Sequence, residues 1–171
     1  RLKEADERRA EADYREAVLD VFCNTGGFSL HALVRGALHS LAIDSSDECL
    51  HRSVGNAEQN GVGTRLTVRR GDAKAVLQEL VSQRRTFGTV LLDPPAFAKS
   101  RKTASSALVG YHDINCLGLR LVEGGGFLAT SSCSYHIQED RFLETVEGAA
   151  KEAGKRLRLA HRGEQAPDHP V

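Results

Sequence analysis

Short apolar stretches alternate with amphipathic ones along the whole chain. Val18, Leu19, Val21 and Phe22 form one apolar run, and Val90-Leu91-Leu92 another, with little of the polar alternation of a half-solvated sheet. Such runs suit strands covered on both faces. They predict strands over 17–22, 39–43, 65–70, 87–92, 127–131 and 156–161. Between them, apolar positions recur at helical spacing over 28–35, 46–60, 73–83, 106–121 and 138–153. Gly36 and Asn60-Gly61 read as helix stops, and Gly124-Gly125-Gly126 closes the fourth helix of the series. Residues 1–15, charged and rich in alanine, read as a solvated helix.

Strands separated by helices imply right-handed crossovers and a mainly parallel, doubly wound α/β sheet of Rossmann type. The 171 residues suffice for one domain with a real core, and the connections leave no linker inside it. The chain starts at Arg1 and stops in Asp168-His169-Pro170-Val171, so it reads as a piece of a longer protein.

Lys plus Arg and Asp plus Glu both number 23. This balance argues against a bulk electrostatic nucleic-acid binder and leaves room for a local basic strip, Lys99-Ser100-Arg101-Lys102. Cys23, Cys49, Cys116 and Cys133 show no metal-ligand spacing, so no metal is expected. Free thiols in a cytoplasmic protein are the expectation, with no membrane partner. Cys49 and Cys116 fall in predicted helices and read as small core fillers, whereas Cys23 and Cys133 each lie just past a strand.

Three motifs end strands. In Val18-Leu19-Asp20-Val21-Phe22-Cys23-Asn24-Thr25-Gly26-Gly27-Phe28, glycines permit close backbone approach to a ligand. Asp44 and Ser45 follow the second strand, where a carboxylate can accept both hydroxyls of a ribose. Gly71-Asp72-Ala73 follows the third, where Asp72 suits an adenine amino group or caps the next helix. With Asp20 and Asp93, these acids line one rim. The loop carries no cation for a phosphate, so the ligand indicated is a cationic nucleoside, S-adenosylmethionine. Cys23 lies in the glycine loop and is expected to face that cofactor.

The fourth strand ends in Asp93-Pro94-Pro95-Ala96-Phe97. Two prolines cannot continue a ladder, so the chain leaves the sheet with Asp93 at the carboxyl edge. A carboxylate, a rigid turn and an aromatic ring suit a flat, hydrogen-bonding substrate such as a nucleobase. Ser131-Ser132-Cys133-Ser134 follows the fifth strand and puts Cys133 on the same rim. A cysteine there is either a nucleophile or an inert thiol.

These motifs, together with Gly110-Tyr111-His112-Asp113-Ile114-Asn115 and Gln165-Ala166-Pro167-Asp168-His169-Pro170, resemble the catalytic domain of the ribosomal RNA large-subunit methyltransferase I family. The resemblance runs from about residue 17 to the end. It implies a class I methyltransferase fold and transfer of a methyl group from S-adenosylmethionine to carbon 5 of a cytosine in ribosomal RNA. It implies a cofactor site of Asp20, Asn24, Thr25, Gly26, Gly27, Phe28, Asp44, Ser45, Asp72, Ala73 and Asp93. Cys133 would be the nucleophile and Asp93 its partner. Pro94, Pro95, Phe97, Lys99, Arg101, Lys102 and Tyr111 would meet the RNA, with Phe97 stacking the base. The family's amino-terminal RNA-binding domain and final hairpin strand are missing, so the chain alone is expected to bind RNA weakly and its last strand to lack a partner. Many RNA cytosine methyltransferases carry a second cysteine where this chain has Pro95, which leaves the base for the carbon 5 proton open. Two other readings remain: an amino-group methyltransferase on guanine or adenine, and a non-catalytic cofactor-binding module. A nicotinamide dehydrogenase fits worst, because the glycine pattern is wrong.

Overall fold

The computed structural model describes residues 17–98 and 100–163, without the side chain of Arg101. The predicted helix over 1–15, Lys99 and the Gln165–Pro170 motif therefore lie outside the described residues. Five strands form one sheet: β1 (Ala17–Val21), β2 (His39–Asp44), β3 (Leu66–Arg70), β4 (Phe87–Leu92) and β5 (Val122–Thr130). Their order is β3-β2-β1-β4-β5, and every pairing is parallel. The order reverses between β1 and β4. In an open parallel sheet this reversal opens a crevice at the carboxyl ends of the strands.

The crossovers are α1 (Gly27–Val34), α2 (Asp47–Gln59), α3 (Ala73–Ser82) and α4 (Ala104–Leu121), and α5 (Glu139–Glu152) follows β5. Leu19, Val21, Ile43, Val90 and Leu92 pack with Leu77, Leu80 and Leu121 in the main core. Each of these eight side chains is almost wholly buried, as the unalternated apolar runs require. Two helices start on side-chain caps: Ser46 Oγ accepts the Cys49 N–H at 3.3 Å, and Asp72 Oδ1 accepts the Ala75 N–H at 2.9 Å.

Two predicted elements differ. β5 begins at Val122 rather than at 127, and the three glycines lie inside it. Phe87 pairs with Val122 and Thr89 with Phe127, so β5 bulges between them. A Cβ on Gly126 would stand 2.6 Å from the Gly88 carbonyl oxygen, so the bulge admits no larger residue there. The glycines thus serve the strand as well as the end of α4. Residues 156–161 form no strand, and Leu157 and Leu159 are exposed. Alternation marks a strand only where a neighbour completes the ladder, and no strand among the described residues pairs with this segment. Lys155 Nζ instead donates to the Val122 carbonyl at 2.7 Å, and Arg162 pairs with Glu139 at the start of α5.

An apolar cleft of about 530 Å³ opens along β1 and β4, lined by Val18, Ala32, Ala37, Thr89 and Leu91 among others. It reaches the amino end of β1 and does not include the acids at the strand ends. No helix among the described residues is long and apolar enough to cross a membrane.

Asp20 fixes the start of α1. It is wholly buried, and its Oδ2 accepts the Ser29 N–H at 2.9 Å and the Ser29 hydroxyl at 2.7 Å. The Ser40 hydroxyl donates onward to Ser29 Oγ at 2.9 Å. Burial pushes the Asp20 carboxyl above its ordinary 3.8, despite the bonds from Ser29, and the negative charges of Asp93 and Asp44 push it the same way. Asp20→Ala should cost about 1–3 kcal/mol, because it strands two buried donors; chemical denaturation measures this. A raised folded-state pKa contributes stability that is complete below the unfolded value and is lost as pH rises through the folded one. The stability of wild type relative to Asp20→Asn should therefore fall as pH climbs above 3.8. A pH-independent difference would remove Asp20 as the cause.

Candidate active site

The rim at the β1/β4 reversal is built by two sets of loops. The first follows β1. Phe22 and Asn24 hold φ of 65° and 48°, and Gly26 holds 81°. A bulky residue such as Phe rarely adopts that region, and packing holds it there: Phe22 lies against the main core and meets Phe97 edge-on at 6.5 Å. The loop is then tied to its neighbours. The Cys23 N–H donates to the Ile43 carbonyl at 3.0 Å, and the Asn24 N–H to Asp44 Oδ2 at 2.9 Å. Ser53 Oγ donates to the Asn24 carbonyl at 3.0 Å, and Asn56 Nδ2 to the Thr25 carbonyl at 3.1 Å. A Cβ on Gly26 would meet Ser53 Oγ at 2.9 Å, so glycine is needed there for both space and φ.

This geometry sorts the predicted cofactor residues. Asn24, Gly27 and Phe28 are exposed, Thr25 is half-buried, and Gly26 is buried against Ser53. Asp44 stands at the end of β2, and its Oδ1 accepts the Ser46 N–H at 2.9 Å, which orients the carboxylate. Ser45 is exposed beside it, with its carbonyl accepting Arg70 Nε at 3.3 Å. Asp72 is exposed while capping α3, so capping and ligand binding are compatible, and Ala73 is buried behind it. Asp20 lies beneath α1 with no exposed surface, so it positions the loop rather than touching a ligand. Its Oδ1 is buried with no hydrogen-bond partner. Cys23 does not face the rim either. It packs against Ala42 and Leu50, and burial, with smaller effects from Asp20 and Asp44, pushes its thiol up to about 12. Cys49 is not a core filler: it is half-buried, and its thiol donates to Asn24 Oδ1 at 3.3 Å. Cys116 is one, buried with Leu119 and Ala149.

The second set joins the loops after β4 and β5. Asp93 is exposed at the end of β4, and the Ser131 hydroxyl donates to its Oδ1. Pro94 is buried and Pro95 exposed. Cys133 is exposed, with its Sγ 3.6 Å from the Pro94 carbonyl oxygen. The structure thus brings Asp93, Pro94 and Cys133 together. Tyr111 joins the two loops from below. The Ser132 hydroxyl donates to its phenolic oxygen at 3.0 Å, and that oxygen shares a hydrogen bond with Ser134 Oγ at 2.9 Å. Ser134 Oγ in turn accepts the Ala98 N–H at 3.1 Å.

Two expectations change here. Tyr111 is fully buried, so it does not meet a substrate; it braces the loops that would. Phe97 is half-buried, with its ring 4.7 Å from Tyr111 and its edge 3.2 Å from where a Cβ on Gly110 would stand. Its ring belongs to an aromatic column, Phe22, Phe97, Tyr111 and Phe142, rather than to an open stacking surface. Lys102 is exposed, in a short 3-10 turn over Arg101–Thr103. Ser53, Asn56, Ser131 and Ser132 were not legible as site residues, because their signal is only a hydroxyl or amide at a helix face or strand end. Among the described residues no cluster of three or more His, Cys, Asp or Glu could hold a metal ion.

Residues 8–117 match the family described as Conserved hypothetical protein 95. Ribosomal RNA large subunit methyltransferase I of Aeromonas hydrophila is 39% identical over 173 residues, which cover 99% of this chain and 44% of that protein. Its counterpart in Vibrio cholerae is 36% identical over 175 residues, again covering 99% of this chain and 44% of the relative. The chain thus spans less than half the length of these curated relatives. Among solved structures, the SAM-dependent methyltransferase from Agrobacterium tumefaciens superposes with a TM-score of 0.65 at 18% identity, covering 78% of this chain and 44% of that one. The fold is therefore the Rossmann-like class I methyltransferase fold, and the chain belongs to the Conserved hypothetical protein 95 family, with kinship along nearly its whole length to the ribosomal RNA large subunit methyltransferase I sequences.

Proposed function

We propose that this chain is the catalytic domain of an S-adenosylmethionine-dependent RNA methyltransferase that acts on carbon 5 of a cytosine, with ribosomal RNA as the substrate class. The observation that carries the reading is the exposed Cys133 thiol beside the Asp93-Pro94 turn, on the rim that also carries Asp44. The residues present fit the cofactor. Asp44 would meet the ribose hydroxyls and Asp72 an adenine amino group, with the exposed Asn24, Gly27 and Phe28 bordering them. Asp44 and Asp93 stand close enough to Asp20 to raise its carboxyl, and a rim that gathers acids in this way suits a cationic ligand. When bound, the cofactor supplies an electrophilic methyl group.

Carbon 5 of cytosine is too weak a nucleophile to take that methyl group unaided. In this reading the Cys133 thiolate adds to carbon 6 and makes the ring an enamine, a form of covalent catalysis. Asp93 hydrogen-bonds the ring nitrogen or amino group, lending ring nitrogen 3 a proton as the thiolate adds and taking it back as the thiolate leaves. The prolines and the Ser131 hydroxyl hold that carboxylate in place. Carbon 5 then takes the methyl group as the methyl–sulfur bond breaks and S-adenosylhomocysteine leaves, a base removes the carbon 5 proton, and the ring electrons expel the Cys133 thiolate. An amino-group methyltransferase would bind the amine through Asp93 and need no thiol. The inward turn of Phe97 takes a stacking ring from both readings, so the exposed Cys133 thiol is what favours the first.

Asp44→Ala should weaken cofactor binding by about 1.5–3 kcal/mol, the scale of charged hydrogen bonds. Calorimetry with S-adenosylhomocysteine measures this, and unchanged affinity in a folded variant would remove Asp44 from the site. Cys133→Ala should abolish tritiated-methyl transfer while sparing cofactor affinity, and wild type should form a denaturation-resistant adduct with RNA containing 5-fluorocytidine. Turnover near wild type in that variant would replace the thiol mechanism with amino-group transfer. RNA affinity of the chain alone should be weak, rest on Lys99, Arg101 and Lys102, and fall as salt rises in filter binding. Tight, salt-insensitive binding would contradict this.

A further inference from the structure

The loop that carries Cys133 also presents an aromatic ring. Tyr135 is 82% exposed, more than any other large hydrophobic side chain among the described residues. The Ile137 N–H donates to the Ser134 carbonyl at 3.0 Å, so Tyr135 and His136 are the two central residues of a tight turn. The turn does not hang loose. Ser134, its first residue, is buried and held by the Tyr111 hydroxyl and the Ala98 N–H. The Tyr135 ring meets His136 edge-on, with centroids 5.4 Å apart at 81°. A ring carried on a turn held in this way loses little freedom on meeting a flat partner.

An unstacked nucleobase needs such a surface, because sequence-tolerant recognition of single strands rests on stacking against aromatic side chains. Phe97 is unsuited, since its ring is packed on Tyr111. Tyr135 lies two residues beyond Cys133, a reach of no more than about 7 Å of extended chain. We propose that Tyr135, braced by His136, is a stacking platform for the nucleobase that flanks the one presented to Cys133. The proposal rests on the RNA methyltransferase reading above and adds to it the residue that holds the substrate strand.

The test compares wild type, Tyr135→Ala and Tyr135→Phe. Fluorescence anisotropy reports the affinity for a labelled single-stranded RNA carrying one cytidine, calorimetry reports cofactor affinity, and methyl transfer is resolved into KM and kcat. Tyr135→Ala should raise Kd and KM for RNA roughly tenfold, with cofactor affinity and melting temperature unchanged and kcat little altered. Tyr135→Phe should restore binding, since it keeps the stacking face. RNA with an abasic site beside the cytidine should bind wild type and Tyr135→Ala alike. Methyl transfer by wild type that is indifferent to Tyr135→Ala overturns the platform and leaves the methyltransferase reading standing. RNA affinity that depends on Tyr135, in a protein that transfers no methyl group, supports the platform and overturns the reading. Absence of RNA binding by wild type overturns both.

Discussion

The hydroxyl of Tyr111 is the joint on which the candidate site's rim depends. It is fully buried, and on one side it meets the loop after β5, accepting a hydrogen bond from Ser132 and sharing one with Ser134. On the other side its ring packs Phe97, and Ser134 passes the connection to the backbone of Ala98. Two loops from adjacent strands are thereby held in one relation, and the Cys133 thiol lies against the carbonyl of Pro94 as a result. A phenol suits this position. Its apolar body fills the space between α4 and the loops while its single polar atom meets several partners. Phenylalanine would fill the same space and leave Ser132 and Ser134 without that oxygen.

The other half of the rim is organised by burial of charge. Asp20 spends its hydrogen bonds on Ser29, so the acid nearest the sheet interior orients α1 instead of meeting solvent. Asp44 and Asp93, one at each side of β1, remain near the surface. The parallel order places all three at the same end of the sheet, where the strand order reverses. Division of labour among like residues follows from depth: the deepest carboxylate holds backbone, and the shallower ones stand where a ligand can reach.

Much of this was legible in the chain. Apolar runs ending in acids located the central strands and their carboxyl ends, because a strand covered on both faces leaves no other arrangement for Val, Leu and Ile. The proline pair located the exit of β4. What sequence could not give was the direction in which a side chain turns once the strand has ended. Cys23 and Cys133 both follow strands, yet one packs under α2 and the other faces solvent. Tyr111 and Phe97 lie in motifs that suggest contact with a substrate, and both are drawn inward by each other. The glycine triplet was read as a helix stop because its second use depends on the register of β4 beside it. The segment over 156–161 has the alternation of a strand, but pairing is a property of the neighbour as much as of the segment.

The loop after β1 holds Phe22 and Asn24 in the left-handed region that favours glycine. Glycine at either place would relieve the backbone, yet at Phe22 it would also remove a ring that contacts both the main core and Phe97. Relief of backbone strain and packing of the ring therefore act against each other at Phe22, and the packing outweighs the relief. A library screened only for resistance to heat would be expected to keep a large apolar residue at Phe22 and to accept glycine sooner at the exposed Asn24.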